Sequence, residues 1–163
     1  MRYEHLVRIN DATRPDIRPL TRAQLWRGLV LRAARPELFD ASIDETRTLE
    51  ENATRQLREV RRAALTTTER VELEPEARVS LTAVAGSGMS GSVLEIRIEE
   101  PAPAALFVRF VYELRGPELP SDDGELSALR QAYYFADLET VQHIRAMVED
   151  ELAGRDDRAG ESR

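Results

Sequence analysis

The 163-residue chain contains no cysteine and no lysine. Without thiols, disulfides, thiolate nucleophiles and cysteine-held metals are excluded. Without an ε-amine, Schiff-base catalysis and the lysine of a phosphate-binding P-loop are excluded as well. All 23 basic residues are therefore arginine. An arginine-only, alanine-rich composition is what a GC-rich genome produces, and it points to a bacterial source. Long apolar runs are missing too: no stretch of about 18 apolar residues exists, so no membrane-spanning helix and no membrane insertion is expected. The opening MRYEHLVRIN lacks the apolar core of a signal peptide, which makes the cytoplasm the expected compartment. The acidic balance (23 − 30 = −7) comes with no RNA- or DNA-binding motif, so nucleic acid is not an expected partner.

What is present suits one folded unit. A chain of this length that is 42% hydrophobic can build a sizeable core, and 33% charged residues give it a wet surface. The expected division is a single domain over residues 1–153 and a disordered tail over 154–163, GRDDRAGESR, which has no apolar residue larger than alanine.

Patterning divides the domain further. Tyr3, His5, Val7 and Ile9 alternate with Arg2, Glu4, Arg8 and Asn10, the period of a half-buried strand. Thr21 and Gln24 form a capping box that opens a helix, in which Leu25, Trp26, Leu29 and Val30 make an apolar stripe ending near Pro36. From residue 42 to 115 the patterns are those of strands. They are interrupted at Asn52, at Pro75, at the run Gly86-Ser87-Gly88-Met89-Ser90-Gly91, and at Pro101 and Pro103. Asp122 and Glu125 then open a long helix reaching about Leu152, with a stripe of Leu126, Leu129, Tyr133, Ala136, Val141, Ile144, Val148 and Leu152. Only the apolar face of the sheet is large enough to cover that stripe. The fold expected is α+β, with about seven antiparallel strands wrapped around one long C-terminal helix and a short helical segment after the first strand.

Several residues invite chemistry. The glycine run matches G-x-G-x-x-G, but it leads into the strand SVLEIRIEE and not a helix, so it reads as a hairpin connection and not a nucleotide site. His5 shares the inward face of its strand, either as a cavity acid, base or donor, or as a core histidine satisfied by a neighbour. His143 reads as a surface pair with Glu139. Glu45 and Arg47 alternate with Ile43 and Leu49, so they either point inward and pair, or lie solvated on a twisted edge strand. Arg109 falls on the mixed face of its strand and is expected outside. Arg55, Arg58, Arg61 and Arg62 are expected to face Asp44, Glu45, Glu50 and Glu51 in a charge ladder. No metal-ligand pattern such as H-E-x-x-H occurs, and no metal or other cofactor is assigned.

The order of elements resembles the helix-grip fold of the START and birch-pollen-allergen superfamily, SRPBCC. Three stretches, LTRAQLWRGLVLRAARPELF (Leu20–Phe39), IEEPAPAALFVRFVYEL (Ile98–Leu114) and AYYFADLETVQHIRAM (Ala132–Met147), resemble its AtaL-like family. The resemblance implies a hydrophobic cavity between sheet and helix, but no settled reaction and no catalytic motif. The residues expected to line that cavity are Tyr3, His5, Trp26, Glu45, Arg47, Ile96, Val108, Phe110, Tyr112 and Tyr133. The expected partner is a small hydrophobic, aromatic or lipid-like ligand. An enzyme of the polyketide cyclase, aromatase or dehydratase kind, with His5 and a tyrosine moving protons, is the alternative, and an interaction module with a filled core is a third class. Oligomeric state is not readable from the sequence.

Overall fold

Period-two alternation in seven segments builds one antiparallel sheet. The computed structural model describes residues 1–86, 90–117 and 119–160, with residue 85 and residues 153–160 described by backbone alone. The elements are β1 (Arg2–Arg8), α1 (Arg22–Ala34), a 3-10 turn (Pro36–Leu38), β2 (Glu45–Glu51), β3 (Arg55–Arg62), β4 (Leu65–Glu74), β5 (Arg78–Ala85), β6 (Val93–Glu99), β7 (Phe107–Glu113) and α2 (Asp123–Gly160). The sheet order is β1-β7-β6-β5-β4-β3-β2, so β2 to β7 form a meander and β1 joins its far edge beside β7. Together they make the helix-grip fold, a curved sheet closed over one long helix.

Register carries the apolar face across the sheet. His5 lies opposite Phe110, Phe110 opposite Ile96, Ile96 opposite Val79, and Val79 opposite Leu73. Their neighbours two residues along fall on the same face, which is why Tyr3, Tyr112, Leu94 and Leu81 form a second row. The pairing of β4 with β5 shifts between Thr68 and Glu69, a bulge of the kind that bends a strand and re-aims side chains.

Helix α1 starts with its full capping box, and α2 with the Asp122 half of the one expected there. Thr21 Oγ1 accepts from the Gln24 amide at 3.1 Å, and Gln24 Oε1 accepts from the Thr21 amide at 2.9 Å. Asp122 Oδ1 accepts from the amides of Gly124 and Glu125 at 2.9 and 3.1 Å. Helix α1 buries Leu25, Gly28, Leu29 and Ala33, so its inner stripe is rotated away from Trp26 and Val30, which are half-buried. On α2 the buried line runs through Asp137, Thr140, Val141, Ile144 and Val148 and leaves Ala136 exposed. The backbone of α2 stays helical to Gly160, past the end expected near Leu152. That helical backbone runs into the tail expected over residues 154–163. Alanine and arginine are good helix formers, no proline intervenes, and extending an established helix costs little. The rest of that tail, 161–163, lies outside the described residues.

Gly28 brings the two helices together. A Cβ added there would sit 2.4 Å from Ile144 Cγ2 and 3.0 Å from Ile144 Cβ, and Ile144 is itself fully buried. Relief would require moving the root of a packed side chain, not a flexible tip. Gly28→Ala is therefore expected to lower stability by about 1–3 kcal/mol through overpacking, although alanine is the better helix former by about 1 kcal/mol. Denaturant melts check this, and adding Ile144→Val should recover part of the loss.

Candidate functional site

The space between the helices closes at Gly28 and Ile144 but not beyond. Toward the C-terminal end of α1 a cavity of about 420 Å³ remains. Helix α2 lines it with Tyr133, Ala136, Asp137, Glu139 and Thr140, and the segment after α1 contributes Pro36, Phe39 and Ile43. The sheet supplies Leu81, Leu94, Tyr112 and Leu114 as apolar surface, with Arg58, Arg62 and Glu69 toward its β3–β4 side.

Arg58 is the largest side chain buried to below 2% exposure. Registration across β3 and β4 sets it directly opposite Glu69. Its Nε and Nη2 both donate to Glu69 Oε2, at 3.1 and 2.8 Å, and its Nη1 donates to the carbonyl oxygen of Ala33. That carbonyl is in the last turn of α1, where helical partners run out, so one buried guanidinium ties the helix end to the sheet. Burial pushes the Arg58 pKa below its ordinary value, and Glu69 opposes that shift. Arg62, on the same strand face, donates to Asp40 Oδ2 at 3.2 Å.

A second polar group sits under α2. Asp137, 1% exposed, accepts from the Tyr112 hydroxyl through Oδ2 at 2.7 Å. His5 Nε2 lies 3.1 Å from the same oxygen, yet neither ring nitrogen has an aligned hydrogen-bond partner. The imidazole is held by aromatic surfaces, stacked on Phe110 at 5.3 Å and met edge-on by Tyr134 at 5.2 Å. Tyr133 stacks on Tyr112 at 4.4 Å. Burial, reinforced by the Asp137 carboxylate, raises the pKa of Tyr112 far above its ordinary 10.0 and raises that of Tyr133 in the same direction.

A family model described as acetylaranotin biosynthesis cluster protein L, AtaL, matches residues 7–151. The chain belongs to the AtaL family. No curated protein matches it closely enough to count as a relative. Solved structures share its fold at low identity. Ara h 8.0201 is 10% identical with a TM-score of 0.61, over 90% of this chain and 98% of that one. The Zhui aromatase/cyclase from Streptomyces sp. R1128 is 15% identical with a TM-score of 0.62, over 93% and 95%. TTHA0849 from Thermus thermophilus is 13% identical with a TM-score of 0.58, over 92% and 97%.

In this AtaL-family chain the residues expected in the cavity part into four groups. Tyr112 and Tyr133 line it. His5 stands behind them against Asp137, with Tyr3 beside it at 5.3 Å. Ile96, Val108 and Phe110 are buried in the core and Trp26 packs half-buried on it, so none of the four lines the cavity. Glu45 and Arg47 are corrected to surface residues. They lie on the edge strand β2, 61% and 65% exposed, paired with Arg61 and Glu59. At an edge the solvated ion pair costs far less than burying two charges. The charge ladder forms at Arg61 alone, since Arg55 pairs with Glu72, Arg58 with Glu69 and Arg62 with Asp40. His143 lies over Phe39 at 4.7 Å instead of pairing with Glu139. Arg109 faces outward as expected, between Glu99 and Glu4. Residues 87–89 of the glycine run lie outside the described residues, but the run joins β5 to β6 and opens no helix.

Sequence reasoning missed Asp137 and Arg58, and both carried a signal. Asp137 falls four residues from Tyr133 and four from Val141, on the apolar stripe. Arg58 alternates in phase with Val60. A charge at an apolar position of the repeat marks a buried polar site. No cluster of residues able to hold a metal ion occurs among the described residues.

Tyr112 keeps its proton in the folded state at a pH where the unfolded chain releases it. Stability is therefore fully present below about pH 10 and falls as pH rises beyond it, because there the unfolded state binds fewer protons. Tyr112→Phe should flatten that alkaline slope. At neutral pH it should cost about 1.5–3 kcal/mol, the worth of a hydrogen bond to a carboxylate. Urea melts of parent and variant at neutral and alkaline pH measure both effects.

Proposed function

We propose that the protein binds a small, largely apolar organic molecule in the cavity between α2, the end of α1 and the sheet. The cavity itself carries this reading. Its volume of about 420 Å³ falls in the range of ligand pockets, roughly 300–1,000 Å³. Leu81, Leu94, Leu114 and Phe39 offer an apolar body surface, and Tyr133 and Asp137 offer a few groups that orient a hydroxyl or carbonyl. Ala83, on β5, lines the cavity with a side chain small enough to enlarge. Ala83→Phe should weaken binding of the neutral fluorescent probe N-phenyl-1-naphthylamine by about tenfold or more, with the melting temperature little changed. Equal affinity in parent and variant would place the probe elsewhere, and native mass spectrometry of fresh protein reports any ligand carried through purification.

A second reading, an enzyme of the cyclase or dehydratase kind, is favoured by one observation: a buried carboxylate, Asp137, at the wall of the same cavity. A carboxylate there can take the α-proton of a β-dicarbonyl chain and return it to the alkoxide formed when the resulting enolate attacks another carbonyl. Tyr112 would position Asp137 through its hydrogen bond. That a structural neighbour is named an aromatase/cyclase agrees with this reading but, at 15% identity, shares only the fold. Under this reading Asp137→Asn lowers cyclisation of linear polyketide thioesters about 10²–10⁴-fold while probe binding persists. Under the binding reading, neither protein turns such substrates over.

A further inference from the structure

Three arginines line the cavity, and two of them are already matched. Arg58 is engaged by Glu69 and the Ala33 carbonyl, and Arg62 by Asp40. Arg32, in the last turn of α1, is half-buried and lines the same cavity, but among the described residues it has no carboxylate within ion-pair distance and makes no side-chain hydrogen bond. The remaining carboxylates of the lining leave it unmatched. Asp137 is turned to Tyr112 and His5, and Glu139 is exposed on α2. Nor is Arg32 simply a surface charge. Its positive charge is felt at the buried Tyr112 hydroxyl and at the buried Arg58 guanidinium, where it counters the rise of the one pKa and adds to the fall of the other.

We infer that Arg32 is the subsite for an anionic group, and that the molecule taken by the cavity is an organic acid with an apolar body and a carboxylate end. A guanidinium presents a planar fork of donors that matches a carboxylate in two parallel hydrogen bonds. Beside an apolar wall, with water partly excluded, such a pair is worth more than on an open surface. Its position is also prepared. Arg58 clamps the carbonyl of Ala33, the residue after Arg32, so the backbone that carries the free guanidinium is fixed to the sheet before a ligand arrives. The order of polarity then fits one kind of molecule. The acid end faces Arg32 near the end of α1, and the hydrocarbon lies on Leu81, Leu94 and Leu114. This inference rests on the cavity reading above and adds the charge of the ligand.

The test separates the two. N-phenyl-1-naphthylamine, which carries no charge, reports occupancy of the cavity, and dodecanoate and dodecan-1-ol compete with it using the same chain and different heads. The acid should displace the probe from the parent at about tenfold lower concentration than the alcohol, a difference of about 1.4 kcal/mol. Arg32→Gln should abolish that preference and leave the affinities for probe and alcohol within about twofold of the parent's. Arg32→Lys should retain part of the preference, because it keeps the charge and loses the fork. Arg27→Gln serves as a control, since Arg27 pairs with Glu151 and is not part of the lining. Equal displacement by acid and alcohol in the parent would overturn the inference while leaving the cavity reading intact. So would a preference that survives Arg32→Gln or disappears with Arg27→Gln. Failure of the parent to bind the neutral probe would overturn both.

Discussion

The cavity beside Tyr112 and Asp137 depends on where α1 meets α2. At Gly28 the missing side chain lets the fully buried Ile144 come against the α1 backbone. That one close approach, on top of the shared apolar core, sets the spacing of the helices over the sheet. Leu25 and Leu29 complete the packed side, joining Val141 and Val148 in one cluster with the inner residues of the strands. Past the contact nothing fills the gap, and the cavity is the space that remains.

A second constraint keeps the far wall in place. A helix end has carbonyls without helical partners, and a buried arginine without acceptors would be costly. Arg58 solves both problems at once by donating to the Ala33 carbonyl while Glu69, opposite it in the register, supplies the countercharge. Buried ion pairs of this kind add little net stability over an apolar pair of the same shape, and their value is in geometry. Here the geometry is the position of the last turn of α1 relative to the sheet, and with it the position of Arg32.

The Asp137 group shows the same economy on the other wall. One carboxylate oxygen takes the Tyr112 hydroxyl and lies beside the His5 ring, and the aromatic rings around it exclude water. A polar spot built this way stays oriented whether or not a ligand is present, as a site that selects by hydrogen bonding needs. It is compatible with a passive binding pocket and with proton transfer, and the two differ only in what the ligand offers to Asp137.

The architecture was legible in the residue pattern. Period-two runs such as Leu94–Ile98 and Leu106–Leu114 can bury one face only as strands, and the stripe from Tyr133 to Val148 can bury only as a helix. The capping boxes at Thr21 and Asp122 mark where the helices begin, because the orphan amides of a first turn need local acceptors. The absence of cysteine and lysine removed whole classes of chemistry without any structure. The inward placement of Tyr112 and Tyr133 was also legible, since alternation and helical spacing tell which face a residue takes. What alternation could not tell is how far along that face the space stays open. Ile96, Val108 and Phe110 share a face with Tyr112, yet they lie where the sheet is covered. Glu45 and Arg47 looked inward by parity, but β2 is an edge strand with solvent within reach. Asp137, Arg58 and Arg32 became a site only through contacts between elements distant in sequence. Periodicity assigns a side chain to a face, but what it meets there is decided by the crossing of helices, the register of strands and the bulge that bends them.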